Sequence, residues 1–195
     1  MITTEQIKSL RDETGVSVMQ CKRALEEANG DREKALIILR KKGGDVAAKK
    51  SDRMLGAGVI ASYIHSNSNV GTLVELSCET DFVSKNQDFK TLAYDIAMHI
   101  TATNPQYVRN DEITEEMKMK AREVFEKDVK DKPENMKEKI MDGKLSSFFG
   151  DKVLLEQQFI KNPDLTVNTL VQNAIQKFGE KIEIARFSRF SVLNK

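Results

Sequence analysis

The chain has 195 residues, enough for one domain or two modest ones with a real core. Hydrophobic residues make up 39% and charged residues 31%, and 31 Lys plus Arg against 30 Asp plus Glu leave a net charge of +1. That balance argues against a general nucleic-acid or anionic-membrane binder, which carries a clear basic excess, and the absence of Trp leaves little for base stacking.

The first segment reads as a compact three-helix module. "TTEQIKSLRDETG" opens with Thr3 and Gln6 at capping-box spacing and stops at Gly15, with Ile7 and Leu10 as its apolar stripe. "SVMQCKRALEEANG" repeats that grammar. Ser17 and Gln20 can form a box, Cys21, Ala24, Leu25 and Ala28 follow helical spacing, and Asn29-Gly30 is the stop. "DREKALIILRKKGG" gives Asp31 as a cap and Gly43-Gly44 as the predicted end. The basic, small-residue stretch that follows reads as a linker or short tether, with a phosphate-contacting patch as the sharper alternative.

Strands begin after Gly58. "VIASYIH" and "VGTLVELSCE", joined by "SNSN", predict an antiparallel hairpin. Val70, Thr72, Val74, Leu76 and Cys78 share one face, and Glu75, Ser77 and Glu79 the other, so one face of the sheet is expected to be buried. After "TDFVS", Phe89, Leu92, Ala93, Ile96, Ala97 and Ile100 mark an amphipathic helix that "NPQYV" ends. Thr114 caps a charge-rich helix. Pro133 suits the first turn of the next, which carries Met136, Ile140 and Met141, and the pair predicts a protruding helical hairpin. "VLLEQQFI" is strand-like. "TVNTLVQNAIQKFG" is a helix facing inward through Leu170, Val171, Ala174, Ile175 and Phe178, and stopped by Gly179. "KIEIARFSRFSVL" is a final strand whose alternation slips between Ile184 and Phe187, which predicts a bend or bulge.

Little of this carries catalytic chemistry. There is no GxxxxGK[ST] loop, no GxGxxG after a strand and no GxSxG elbow, so no cofactor, metal or nucleotide site is expected. His65 and His99 are the only histidines on which a triad or metal site could be built. The plainer expectation is that His65 ends a strand and His99 lies beside the Ile96 and Ile100 face. Cys21 and Cys78 form neither a disulfide framework nor a CxxC zinc pair and read as buried thiols. No run approaches the ~20 apolar residues of a membrane span, and no signal peptide is expected, so the cytoplasm is the expected location. Together with the balanced charge, this favours a binding protein over an enzyme.

The sharpest local feature is "SCETDFVS". A helix starting here is capped by Ser84, with Gln87 completing a box, or by Asn86. A hydrophobic staple would then use Val83 and Asp88, or Lys85 and Lys90, and neither register uses Phe82. Phe82 therefore either folds into the core or projects from the turn beside Asp81. An apolar wedge beside a charge is a good probe for a partner's crevice.

"TDFV" after "VELSCE" and before "KNQDFKTLAYDIAMHI" resembles the bacterial elongation factor Ts family. "LRDETGVSVMQCKRALEEANGDREKALIILRKKG" resembles that family's ubiquitin-associated-like module, and "VLLEQQFIKNPDLTVNTLV" with "RFSRFSVL" resembles its C-terminal core. The resemblance implies a guanine-nucleotide exchange factor for the GTPase elongation factor Tu in translation elongation, not an enzyme with covalent chemistry. By it, Asp81 and Phe82, framed by Thr80 and Val83, intrude near the magnesium and phosphate site of the GTPase. Arg11, Val18, Met19 and Lys22 match the positions through which the module docks. The family often has two methionines where this chain has Val18-Met19. Longer members have two related core subdomains where this chain has one, and short members resemble dimers, so a homodimer is implied. The rival reading, from the module alone, is a ubiquitin-associated-like adaptor or nascent-chain-binding protein without exchange activity. A second rival is an enzyme using His65 or His99.

The predicted fold is α+β: a three-helix ubiquitin-associated-like module at 1–44, a linker at 45–56, and a core at 57–195. That core is an antiparallel sheet flanked by helices, with a helical hairpin at about 114–148.

Overall fold

The computed structural model describes residues 2–130 and 133–192, with the backbone alone at 134 and 135. Residues 1, 131–132 and 193–195 lie outside the described residues, and with them the end of the strand predicted from "KIEIARFSRFSVL".

Three helices come first: α1 (Thr4–Thr14), α2 (Val18–Glu27) and α3 (Arg32–Ala48). Thr3 and Gln6 form the full capping box expected of them, and Gly15 closes α1 in the left-handed region at φ 67°. Ser17 completes only half of a box. It accepts the Gln20 N–H, but the Gln20 side chain meets the Ser17 hydroxyl at 3.1 Å instead of the cap's backbone. Leu10, Val16, Cys21, Ala24, Leu25, Ala35, Leu36 and Leu39 make a small core of their own.

The predicted stop at Gly43-Gly44 is wrong, because α3 continues to Ala48. Each glycine costs a helix about 1 kcal/mol relative to alanine, so isolated propensity favours a break. Tertiary packing overrides it. Helix α8 (Val167–Phe178) lies across α3, and a β-carbon on Gly43 would sit 3.4 Å from Gln176 Oε1. Val46 and Ala47, beyond the glycines, pack on the main core.

Strands β1 (Ala57–Ile64), β2 (Val70–Cys78) and β5 (Ile182–Ser191) form an antiparallel sheet in the order β1-β2-β5. The expected slip in β5 is a bulge. Glu75 pairs with Arg186 and Leu76 with Ile184, which leaves Ala185 as the extra residue. One face of the sheet packs on α5 (Gln87–Thr103) and α8, where Val74, Leu76, Phe89, Ile96, Ile100, Ile175 and Ile184 make the main core. The other face exposes Ile60, Ile64, Leu73, Phe190 and Val192.

The hairpin is present as α6 (Glu115–Val129) and α7 (Glu134–Gly150). Pro133 is the residue before α7 instead of lying within its first turn. A third small cluster of Ile113, Ala121, Phe149 and Val153 holds the hairpin base. "VLLEQQFI" is not one strand. Leu154–Glu156 is a 3-10 turn, and only β3 (Gln158–Phe159) pairs with β4 (Asn162–Thr166). A strand sends neighbours to opposite faces. Here Val153 and Leu154 are both fully buried, one in the hairpin cluster and one in the main core, and a tight turn lets them serve both.

Candidate functional site

The turn after β2 is built from both ends. Cys78 closes the strand with its thiol donating to Thr80 O at 3.2 Å, and burial pushes that thiol's pKa up. Asp81–Lys85 then forms a five-residue helix, α4. Asn86 ends α4 and caps α5, its side chain accepting the Asp88 N–H at 2.8 Å. Of the two predicted caps Asn86 is the one used, while Ser84 lies inside α4 and donates to Asp81 O at 3.2 Å.

This geometry decides the direction of each side chain. Val83 and Ser84 face inward at 7% and 8% exposure, whereas Phe82 is 85% exposed. Of the two readings of Phe82, the outward one holds. Val83 is the root of the turn, packed in the main core, and presents almost no surface to a partner. Asp81 pairs with Lys85 at 2.5 Å, and that hydrogen bond holds its carboxyl below the usual aspartate range.

Two carboxylates brace the turn. Glu79 accepts the Lys181 backbone N–H at 2.5 Å and both its oxygens face Arg53 Nη1 at 3.1 and 3.2 Å. The Lys181 N–H, then Arg53, lower its pKa. Glu180 accepts the Thr80 N–H at 3.0 Å and the Thr80 hydroxyl at 2.5 Å. These partners lie 26 to 102 positions from the turn in sequence. No local pattern pointed to them, and sequence reasoning missed them.

In the module, Val18 and Met19 open α2 and are 50% and 58% exposed. Lys22 follows one turn later, 3.8 Å from Glu26, and Arg11 is exposed near the end of α1. Lys177 links the two regions. Its ammonium pairs with Asp88 at 2.8 Å, and a β-carbon on Gly15 would sit 3.6 Å from its Cδ. The turn leading into Val18-Met19 thus lies beside the start of α5, which the Phe82 turn also reaches.

Neither histidine joins this site. His99 is fully buried, its Nδ1 accepting the Ile160 N–H at 3.3 Å and its Nε2 facing Gln157 Oε1 at 2.9 Å. Those partners assign the proton to Nε2, and burial lowers its pKa. His65 is exposed, with its Nδ1 3.3 Å from the Tyr63 hydroxyl. Among the described residues no group of three or more His, Cys, Asp or Glu is arranged to hold a metal ion, and no helix is long and apolar enough to cross a membrane.

An exposed ring on a doubly braced turn, with a second apolar knob nearby, is the equipment of a protein that works by docking on another. The comparisons identify which kind. A family model described as Elongation factor TS matches residues 31–194. The elongation factor Ts of Carboxydothermus hydrogenoformans is 50% identical over 194 residues, spanning 98% of this chain and 89% of the relative. That of Thermosipho melanesiensis is 46% identical over 194 residues, spanning 98% and 99%. That of Syntrophus aciditrophicus is 47% identical over 193 residues, spanning 98% and 96%. The chain belongs to the elongation factor Ts family, and its role is nucleotide exchange on elongation factor Tu in translation elongation. The match runs far beyond the three-helix module, so the adaptor reading, which rested on that module alone, is not favoured.

Proposed function

We propose that the chain releases GDP from elongation factor Tu by inserting Phe82, with Thr80 and Asp81 at its side and Val83 as its root, near the magnesium and phosphate site. The observation that carries this reading is the 85% exposure of Phe82 on a turn whose flanks are hydrogen-bonded and whose root is buried. A nanomolar nucleotide is held by about 12 kcal/mol. No covalent bond has to break. The factor must bind the nucleotide-free GTPase better than the loaded one, and by reciprocity it weakens the nucleotide by the same factor. Magnesium neutralises the phosphates, so a wedge that shifts its ligands loosens the nucleotide. Arg11, Val18, Met19 and Lys22 form a second foothold on the GTPase.

Residues 1–44 act in this reading as a docking module, 45–56 as its connection, and 57–195 as the exchange core. The work takes place in the cytoplasm. A second copy of the chain covers the outer sheet face, supported by the exposed Ile60, Ile64, Leu73, Phe190 and Val192. Such a patch is larger than the single apolar residues that any surface carries.

Calorimetric titration onto elongation factor Tu tests the exchange reading directly. Binding is expected to be much tighter to the nucleotide-free GTPase than to the form loaded with GDP and magnesium. Equal affinity for both would sink it.

A further inference from the structure

We infer that Glu180 is the positioning residue of the Phe82 prong. This rests on the reading of Phe82 as the wedge. Thr80 stands at the N-cap of α4 in extended conformation, where a threonine ordinarily uses its hydroxyl to cap the helix. It makes no such bond here. Its N–H and its hydroxyl both donate to the Glu180 carboxylate, at 3.0 and 2.5 Å. The direction of the prong is therefore set against the end of α8, 100 positions away, and not by the local capping of α4. A five-residue helix has no stability of its own, so this outside anchor matters.

Glu180 is itself held. Gly179, the left-handed cap of α8 at φ 72°, turns the chain so that Glu180 leaves the helix toward Thr80. Lys50 Nζ donates to Gly179 O at 2.6 Å, and Lys181 Nζ donates to Ser51 O at 2.6 Å. The Lys181 N–H holds Glu79 on the other side of Thr80. Residues 179–181 are thus a hub that joins the strap running from α3 to the root of the prong. Remove the carboxylate of Glu180 and the ring remains, still exposed and still apolar, but its root yields. A yielding root binds the partner and distorts it less.

The test is a titration of stimulated release of fluorescent GDP from elongation factor Tu. Glu180→Ala is expected to lower the maximal rate about tenfold, the scale of losing hydrogen bonds to a charged acceptor, with little change in the half-saturating concentration. Glu180→Gln, which keeps one acceptor oxygen but loses the charge, falls between. Glu180→Ala placed on Phe82→Ala adds no further loss, because the residue acts through the ring. Should Phe82→Ala itself release at the wild-type rate, the wedge reading fails. Should Phe82→Ala slow release while Glu180→Ala and Glu180→Gln do not, or should Glu180→Ala slow it by the same factor in both backgrounds, the positioning role is overturned. Glu180→Gln, the milder change, decides the matter even if Glu180→Ala fails to fold.

Discussion

Phe82→Ala separates exchange from folding because the ring contributes so little to the fold. At 85% exposure its truncation leaves no cavity, and surface changes of this kind stay within about 0.5 kcal/mol of neutral. Against the partner the balance is different. An aromatic side chain buries about 150–250 Å², of which truncation to alanine removes roughly 100–150 Å². At ~25 cal/mol/Å² that is about 3 kcal/mol of lost contact. If the contact is fully made only as GDP leaves, about 3 kcal/mol corresponds to a release rate roughly a hundredfold slower. Phe82→Leu keeps part of that area and falls between. The assay is stopped-flow release of labelled GDP from elongation factor Tu at saturating factor, with a thermal melt of each variant as the control for folding. A variant with wild-type melting and wild-type release would refute the reasoning.

The other expectations follow from separate features. Met19→Asp places a charge on the module's exposed knob, so it raises the half-saturating concentration in the same assay about tenfold while the maximal rate at saturation holds, as for lost ground-state docking. Phe190→Glu on the outer sheet face is expected to turn the proposed dimer into a monomer, read by sedimentation at micromolar chain; a wild-type chain that sediments only as monomer counts against the dimer. His99 gives a pH dependence. Burial lowers its folded pKa below 6.5, so below 6.5 the unfolded chain binds more protons than the folded one. Its contribution is complete above 6.5 and is lost as pH falls toward the folded value. Stability from urea unfolding should therefore fall as the pH drops below 6.5, and His99→Gln should flatten that fall.

Local grammar accounts for much of the fold. The Thr3 box, the Asp31 and Thr114 caps, the Gly15 and Gly179 stops and the Ala185 bulge are each written within a few residues, and each is where the sequence placed it. The two larger misreadings share one cause. Gly43-Gly44 stays helical because α8 approaches closely, and Val153-Leu154 breaks the strand because two cores claim adjacent residues. Both depend on distant chain. Phe82 was conspicuous in sequence because neither cap register used it, yet its outward direction rests on the burial of Val83 and Ser84 and on the Thr80–Glu180 hydrogen bonds, neither of which is written locally. Glu79, Arg53, Glu180 and Lys177 left no local sign, since a brace is defined by what it meets across the fold.

The position of the three-helix module bears on the proposed mechanism. On a flexible tether it would only raise the local concentration of the core, a gain set by linker length. Here α3 passes its glycines against α8 and packs Val46 and Ala47 against the main core. Lys177 fixes the second point by reaching Asp88 while lying along Gly15. Knob and prong are then two points on one frame. In the proposed mechanism the knob's contacts hold the partner in place while the frame sets the approach of the prong. A tethered knob could hold the partner but could not set the angle at which Phe82 enters. The same frame explains why the braces converge on residues 179–181, where the end of α8, the strap from α3 and the root of the prong meet.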